Sequence, residues 1–336
     1  MRIFSGLLIA CLVIAGSCPA HSGTLIPVPP VSGYPAYVTG VNDSDIIVGA
    51  YADSSGVVHG FYGPLSGTDY TTVDYMTGGT MLRGINDSGY MTGIFNYSQG
   101  TNCGDGEFEI YPDGKIGTIT DNGTPLNGIV QGINNKKNVF AGNYCDSGTG
   151  TQNAYEGKSL KYVQDVNVSI STQGLANGRG INNAGDVVGF FRDKNGNVQG
   201  FFVSGGTATE IAFPSKKEVA TYVYGINDKD IIAGQWVDKS GIISGFLLNA
   251  ETGKFTTIKV PGSTAYVSPL GISDSGLVAV DSDVGDYIYC STNKNCPANG
   301  IHVIDENISV PLGSFPRYAC RDACRSLAFP ITGDLR

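Results

Sequence analysis

Charge is scarce in this chain, and no basic cluster stands out in what there is. Asp, Glu, Lys and Arg make up 15% of the 336 residues, and the net charge is −9. A phosphate-binding surface needs a Lys/Arg footprint, so nucleic acid is excluded as a partner. Histidine is scarcer still: His21, His59 and His302 are the whole supply. None has the spacing that a Ser-His-Asp triad or a histidine metal site requires. No glycine-rich phosphate loop lies between a strand and a helix. With those classes removed, no catalytic residue can be named from the sequence.

Long apolar runs are also lacking, with one exception at the N-terminus. Arg2 precedes an apolar stretch from Ile3 to Gly16, and small residues follow. That is the pattern of an export signal, too short to anchor in a bilayer. Cleavage after Ser17 or after Ala20 fits, and residues 1–20 are assigned to a signal peptide. The expected location is secreted or extracellular. A periplasmic protein, or an envelope protein lipid-anchored at Cys18, is the alternative. With Cys11 and Cys18 in the leader, six cysteines remain: Cys103, Cys145, Cys290, Cys296, Cys320 and Cys324. An even number in an exported chain predicts three disulfides rather than zinc.

Glycine is abundant, at 48 residues, and much of it recurs in one motif. Gly84-Ile85-Asn86-Asp87-Ser88-Gly89 has counterparts beginning at Gly40, Gly132, Gly180, Gly225 and Gly271, spaced 44, 48, 48, 45 and 46 residues apart. A period in that range marks a repeat architecture. Within a unit, four short runs rich in β-branched and aromatic residues are separated by turn clusters, which reads as an antiparallel meander of strands A to D. Six such sheets packed radially give a six-bladed β-propeller, all-β, with four-stranded antiparallel blades. Leu25 to Pro29 resembles a strand D with no blade before it. It is expected to complete the last blade and close the ring, in competition with residues 307–311. The propeller is assigned to residues 21–311 and a C-terminal tail packed on it to 312–336.

The motif, the apolar strand after it and His59-Gly60-Phe61 together resemble the HAF-type extracellular repeat family of bacteria. The matching sites elsewhere read Gln199-Gly200-Phe201, Ser244-Gly245-Phe246 and Asn153-Ala154-Tyr155. The likeness covers roughly residues 25–305. It implies export and a propeller, and transfers no catalytic residue.

The Asn-Asp-x-Gly segment has a local structural reason: Asn and Asp bond their own backbone in turns and Gly accepts positive φ. Calcium is a weaker reading of these carboxylates and amides, because each turn offers few of the six to eight oxygens a cage needs. No other cofactor is implied. A second pattern sets an aromatic two residues before an aspartate at the end of strand B, in Tyr51/Asp53, Tyr144/Asp146, Phe191/Asp193 and Trp236/Asp238. These rings either pack between blades or form a rim for sugar. A third series precedes each repeated glycine: Thr39, Arg83, Gln131, Arg179, Tyr224 and Leu270. Alternation along strand A points this series toward the central channel, where Arg83, Gln131, Arg179 and Tyr224 would meet an anionic sugar.

All length variation falls in the B–C connections, which also carry Cys103, Cys145, Cys290 and Cys296. Function is therefore expected on the face formed by the B–C and D–A connections, opposite the A–B turns. The expected function is a non-catalytic binding module for carbohydrate or a cell-surface partner, with Arg83, Gln131, Arg179, Tyr224, Trp236 and Asp238 as ligand contacts. The alternative is a polysaccharide lyase or hydrolase on the same face. A Cys103–Cys145 disulfide is expected between blades two and three. A helical tail would send Cys290 and Cys296 to Cys320 and Cys324, whereas an extended tail leaves local 290–296 and 320–324 pairs.

Overall fold

The computed structural model describes residues 22–309 apart from 68, 77, 98–104, 147–148, 150, 173, 292–295, 297–300 and 305. Among these residues there is no helix. The strands form six sheets arranged in a ring, a six-bladed β-propeller. Blade one is Ala36–Val41, Ile46–Ala52, Val58–Pro64 and Thr71–Val73, joined as consecutive antiparallel neighbours. Blades two to five begin at Gly79–Ile85, Gly128–Ile133, Ala176–Ile181 and Glu218–Ile226 and repeat that order. The simple four-stranded blade holds for one, two and four. Blade three adds a short hairpin, Thr120–Asp121 with Thr124–Pro125, at its outer edge.

Blade six takes strands A to C from Val267–Ile272, Leu277–Ser282 and Tyr287–Cys290, and its fourth strand is Ser22–Pro27 from the other end of the chain. The N-terminal segment closes the ring, as expected. The competing segment goes elsewhere. Ile301–Ile304 pairs outside the N-terminal strand, and Glu306–Ser309 pairs with strand D of blade five, Lys254–Ile258. Both blades thereby gain a fifth strand.

Two features of the repeated motif shape the centre. An added Cβ at Gly84 would lie 2.5 Å from the Gln131 carbonyl oxygen, and one at Gly271 would lie 2.7 Å from that of Thr39. Strand A of each blade meets the backbone of the next there, so only glycine fits. In every blade the pairing of strands A and B shifts register beside this glycine, as between Val38 and Gly40 or Val223 and Gly225. Such β-bulges break strict alternation and re-aim a side chain. Outward, the aromatic of strand C is buried in every blade: Phe61, Phe108, Tyr155, Phe201, Phe246 and Tyr289. Each stabilises the fold by about 2–3 kcal/mol through burial alone.

Cys290 and Cys296 form a disulfide with each other, Cα atoms 5.8 Å apart. The expected cross-link from this insertion to the tail is thus incorrect, and the local 290–296 pair holds. A six-residue loop closes at little entropic cost, which favours it. Cys145 is disulfide-bonded. Cys103, Cys320, Cys324 and the tail lie outside the described residues, as does the signal peptide.

Candidate functional site

At the A–B end the motif does more than turn. Asn86 Oδ1 accepts the Ser88 and Tyr90 amides of its own turn, at 3.1 and 3.0 Å. Its Nδ2 donates to the Asn134 carbonyl of the next blade, 2.9 Å. The neighbouring residue continues the chain of bonds. Asp43 N–H donates to Asp87, Asp87 N–H to Asn135, Asn183 N–H to Asp228, Asp228 N–H to Asp274 and Ser275 N–H to Asp43, each at 2.7–2.8 Å. Lys136 N–H donates to Asn183 and completes the circle. The local account of the motif was incomplete, since each turn is also latched to its neighbour. Inside this rosette a cavity of about 40 Å³ is lined by Val41, Ile85, Ile133, Ile181, Ile226 and Ile272 together with polar residues of the turns, among them Asn42, Asp87, Asn134, Asn182, Asn227 and Asp274. It has room for a water or two. Burial, with repulsion from Asp43 and Asp228, raises the Asp87 pKa. Among the described residues no three His, Cys, Asp or Glu side chains are placed to hold a metal.

The series beside the repeated glycine occupies the bulges, and Thr39, Arg179 and Tyr224 reach the neighbouring blade. Thr39, Gln131 and Arg179 are buried, and Arg83 and Tyr224 are half-buried. The Arg179 guanidinium lies 4.7 Å from the Phe190 ring centroid and 5.8 Å from that of Tyr224. Tyr222 stacks on Tyr224 at 6.0 Å, so this seam is an aromatic box around a cation. The Arg83 Nε and the Gln131 Nε2 are buried without a hydrogen-bond partner among the described residues. The four residues Arg83, Gln131, Arg179 and Tyr224 do come from consecutive blades at one strand position.

On the loop face the aspartates of the second pattern first build their own turns. Asp53 accepts from the Ser55 and Val57 amides, Asp193 from Asn195 and Asn197, and Asp238 from Ser240 and Ile242. Their rings differ. Phe191 is fully buried, whereas Trp236 is half-buried and stacked on Phe213 at 4.6 Å with planes 4° apart. The Trp236 indole N–H has no partner among the described residues. In blade one Tyr34, Tyr51 and His59 form a parallel ladder, with centroids 6.0 and 5.1 Å apart. Asp74 meets His59 Nδ1 at 2.7 Å, and Asp53 stands 3.7 Å from Nε2.

Two groups escaped sequence reasoning. Across the ring closure, Asp286 accepts the Val38 amide of blade one and shares a hydrogen bond with Asp281, which accepts from Tyr266 at 3.2 Å. Removal from water, then the Asp281 charge, pushes the Asp286 carboxyl well up. The second group is on strand C of blade two, Gly106–Ile110. Glu107 takes the position that Gly60, Ala154, Gly200 and Gly245 hold in other blades. It is wholly buried, with Asp105 and Glu109 beside it at 1% exposure. Tyr155 of blade three donates its hydroxyl to Glu107 Oε2, while Oε1 has no partner among the described residues. Burial, moderated by the Tyr155 bond, pushes the Glu107 carboxyl up to about 8. The alternation Asp105-x-Glu107-x-Glu109 was the available signal.

No family model matches the chain, and no curated protein matches it. Among solved structures, a prolyl endopeptidase is similar over 74% of this chain and 40% of that chain, at 13% identity and TM-score 0.46. TolB from Acinetobacter baumannii is similar over 83% and 68%, at 12% identity and TM-score 0.48. The β-propeller domain of the Trilobed protease from Pyrococcus furiosus is similar over 78% and 100%, at 9% identity and TM-score 0.41. This chain spans less than half of the prolyl endopeptidase. No activity passes from these proteins to this one.

Proposed function

We propose that the chain is an exported propeller of the HAF-repeat kind that binds carbohydrate, or a glycan-bearing surface partner, on its B–C/D–A face without chemistry. The observation that carries this reading is the recurrence at the end of strand B of a ring with an aspartate two residues on, in blades one, three, four and five. Half-exposed Trp236 with Asp238, and Tyr34 over Tyr51 with Asp53, are the stations that still offer a ring edge and a carboxylate oxygen. Sugars bind such surfaces by stacking on the ring and hydrogen-bonding the acid. A glycan array probed with the intact protein tests it. Wild type should retain a carbohydrate ligand, and Trp236→Ala should weaken it at least tenfold while the ring stays folded. Absence of binding to every glycan would reject the reading.

A second reading, a polysaccharide-cleaving enzyme, is favoured by one observation. Asp286, its carboxyl pushed well up by burial and by the Asp281 charge, shares a hydrogen bond with Asp281, which accepts from Tyr266 on the same face. That is the equipment of general acid–base catalysis. New reducing ends or unsaturated uronates released from polysaccharide by wild type, and abolished in Asp286→Asn, would replace the binding reading with this one.

A further inference from the structure

Among the described residues, no cation pairs with Glu107. No lysine or arginine lies between Arg83 and Lys115 in sequence, so the B–C connection of blade two brings none. Among the described residues, Arg83 forms no ion pair with it, and Lys115 pairs with Asp113 instead. The groups that face Glu107 are acids and phenols. Asp105 and Glu109 flank it on its own strand, and Tyr155 meets it from blade three. Behind Tyr155, Tyr144 and Tyr162 stand at 6.2 and 6.0 Å, and both feel the charge of Asp165. Glu109 is met by one backbone donor, the Leu160 amide at 3.0 Å. A carboxylate in such a place is far costlier than a carboxylic acid. The acid form keeps the Tyr155 bond and introduces no charge. The ionised form sets a negative charge between two acids inside a seam with one hydroxyl to solvate it.

We propose that the seam between blades two and three is a proton-operated joint, closed while Glu107 is protonated and loosened when Glu107 ionises. One proton leaves Oε1 or Oε2 for solvent, and water must enter to hydrate the anion. That entry parts strand C of blade two from strand C of blade three. The other seams lack the device, because glycine or alanine occupies the equivalent position in blades one, three, four and five, and Ile288 occupies it in blade six. The effect is therefore local. It acts on the loops that flank this seam on the B–C/D–A face, independently of what those loops bind.

Hydrogen–deuterium exchange of the intact chain from pH 5 to 10, corrected for the intrinsic rate, tests the joint. Peptides over Gly106–Ile110 and Gln152–Lys158 should lose protection by up to about tenfold per pH unit as pH rises toward about 8, and level off above it. The peptide over Val198–Ser204, in the seam between blades four and five, should show no such step. Glu107→Gln should erase the step, and Glu107→Gly, which restores the small residue of the other blades, should erase it too if the glutamine variant fails to fold. A step that survives in either folded variant overturns the proposal. So does a wild type whose two peptides keep their protection throughout, or a step that appears equally in Val198–Ser204.

Discussion

The seams between blades two and three and between blades four and five share one backbone plan and opposite chemistry. In the first, Glu107 of strand C faces Tyr155 of the next blade. In the second, the same two positions are Gly200 and Phe246. The absence of a side chain at Gly200 lets Val223 pack close, since an added Cβ would lie 2.9 Å from its Cγ2. Where the carboxyl is present, the facing ring is a tyrosine whose hydroxyl meets it; in the second seam, without the carboxyl, the ring is a phenylalanine, although blade six carries Tyr289 across from Gly245. The lesson is that a repeat protein can exchange an apolar seam for a polar one by a matched pair of substitutions while leaving the register alone.

The strongest way to break the comparison is to move the acid. Gly200→Glu would bury a carboxyl against Val223 with Phe246, not tyrosine, across from it. A loss of about 4 kcal/mol or more is expected, read by calorimetry or denaturant titration. Adding Phe246→Tyr should recover part of it, and a double variant no better than the single one would refute the pairing. The next effect is on pH. The folded pKa of Glu107, about 8, lies above its ordinary 4.5. The folded state therefore holds a proton that the unfolded chain releases, so stability is full below about pH 4.5 and declines as pH rises toward 8. The slope is about 1.4 kcal/mol per unit within that window. Glu107→Gln should flatten the profile, and a profile that keeps its slope in this variant would mean another group is responsible.

Smaller effects sharpen the contrast. Tyr155→Phe removes the one hydroxyl bound to Glu107 and should cost about 1–2 kcal/mol. Because that bond favours the ionised form, its loss should also move the transition to higher pH. In the aromatic seam, Arg179→Lys keeps the charge and loses the flat face stacked on Phe190 and Tyr224. A loss of about 1 kcal/mol and no change in pH dependence are expected from unfolding curves.

The sixfold architecture was legible because the repeated glycine answers a requirement that each blade meets alone: its strand must touch the next backbone. The ring closure was legible for a similar reason, a strand-like stretch at Leu25 to Pro29 with no sheet of its own. The interblade latch was not. Asn86 looks complete as a turn former, and only the position of Asn134 reveals its second bond. The contact of Arg179 with Tyr224 across a seam was not legible, because alternation assumes an unbroken strand and the bulge before each glycine interrupts it. Period-two acids at Asp105, Glu107 and Glu109 announce one face of a strand. They do not say whether that face meets water or the next blade. The Gly-Phe pairs of blades four and five set against Glu107 and Tyr155 were the clue, visible once the units are aligned.

The placement of Ser22–Pro27 has a consequence in time. This strand is the first of the described chain to be made, yet its hydrogen-bond partners, Tyr287–Cys290 and Ile301–Ile304, are among the last. Contacts that join such distant segments form late and slowly. Blades one to five can assemble in order as the chain appears. The ring itself cannot shut until the far end is in place. Until then blade six has no fourth strand, and a strand edge waits at each end of an open arc.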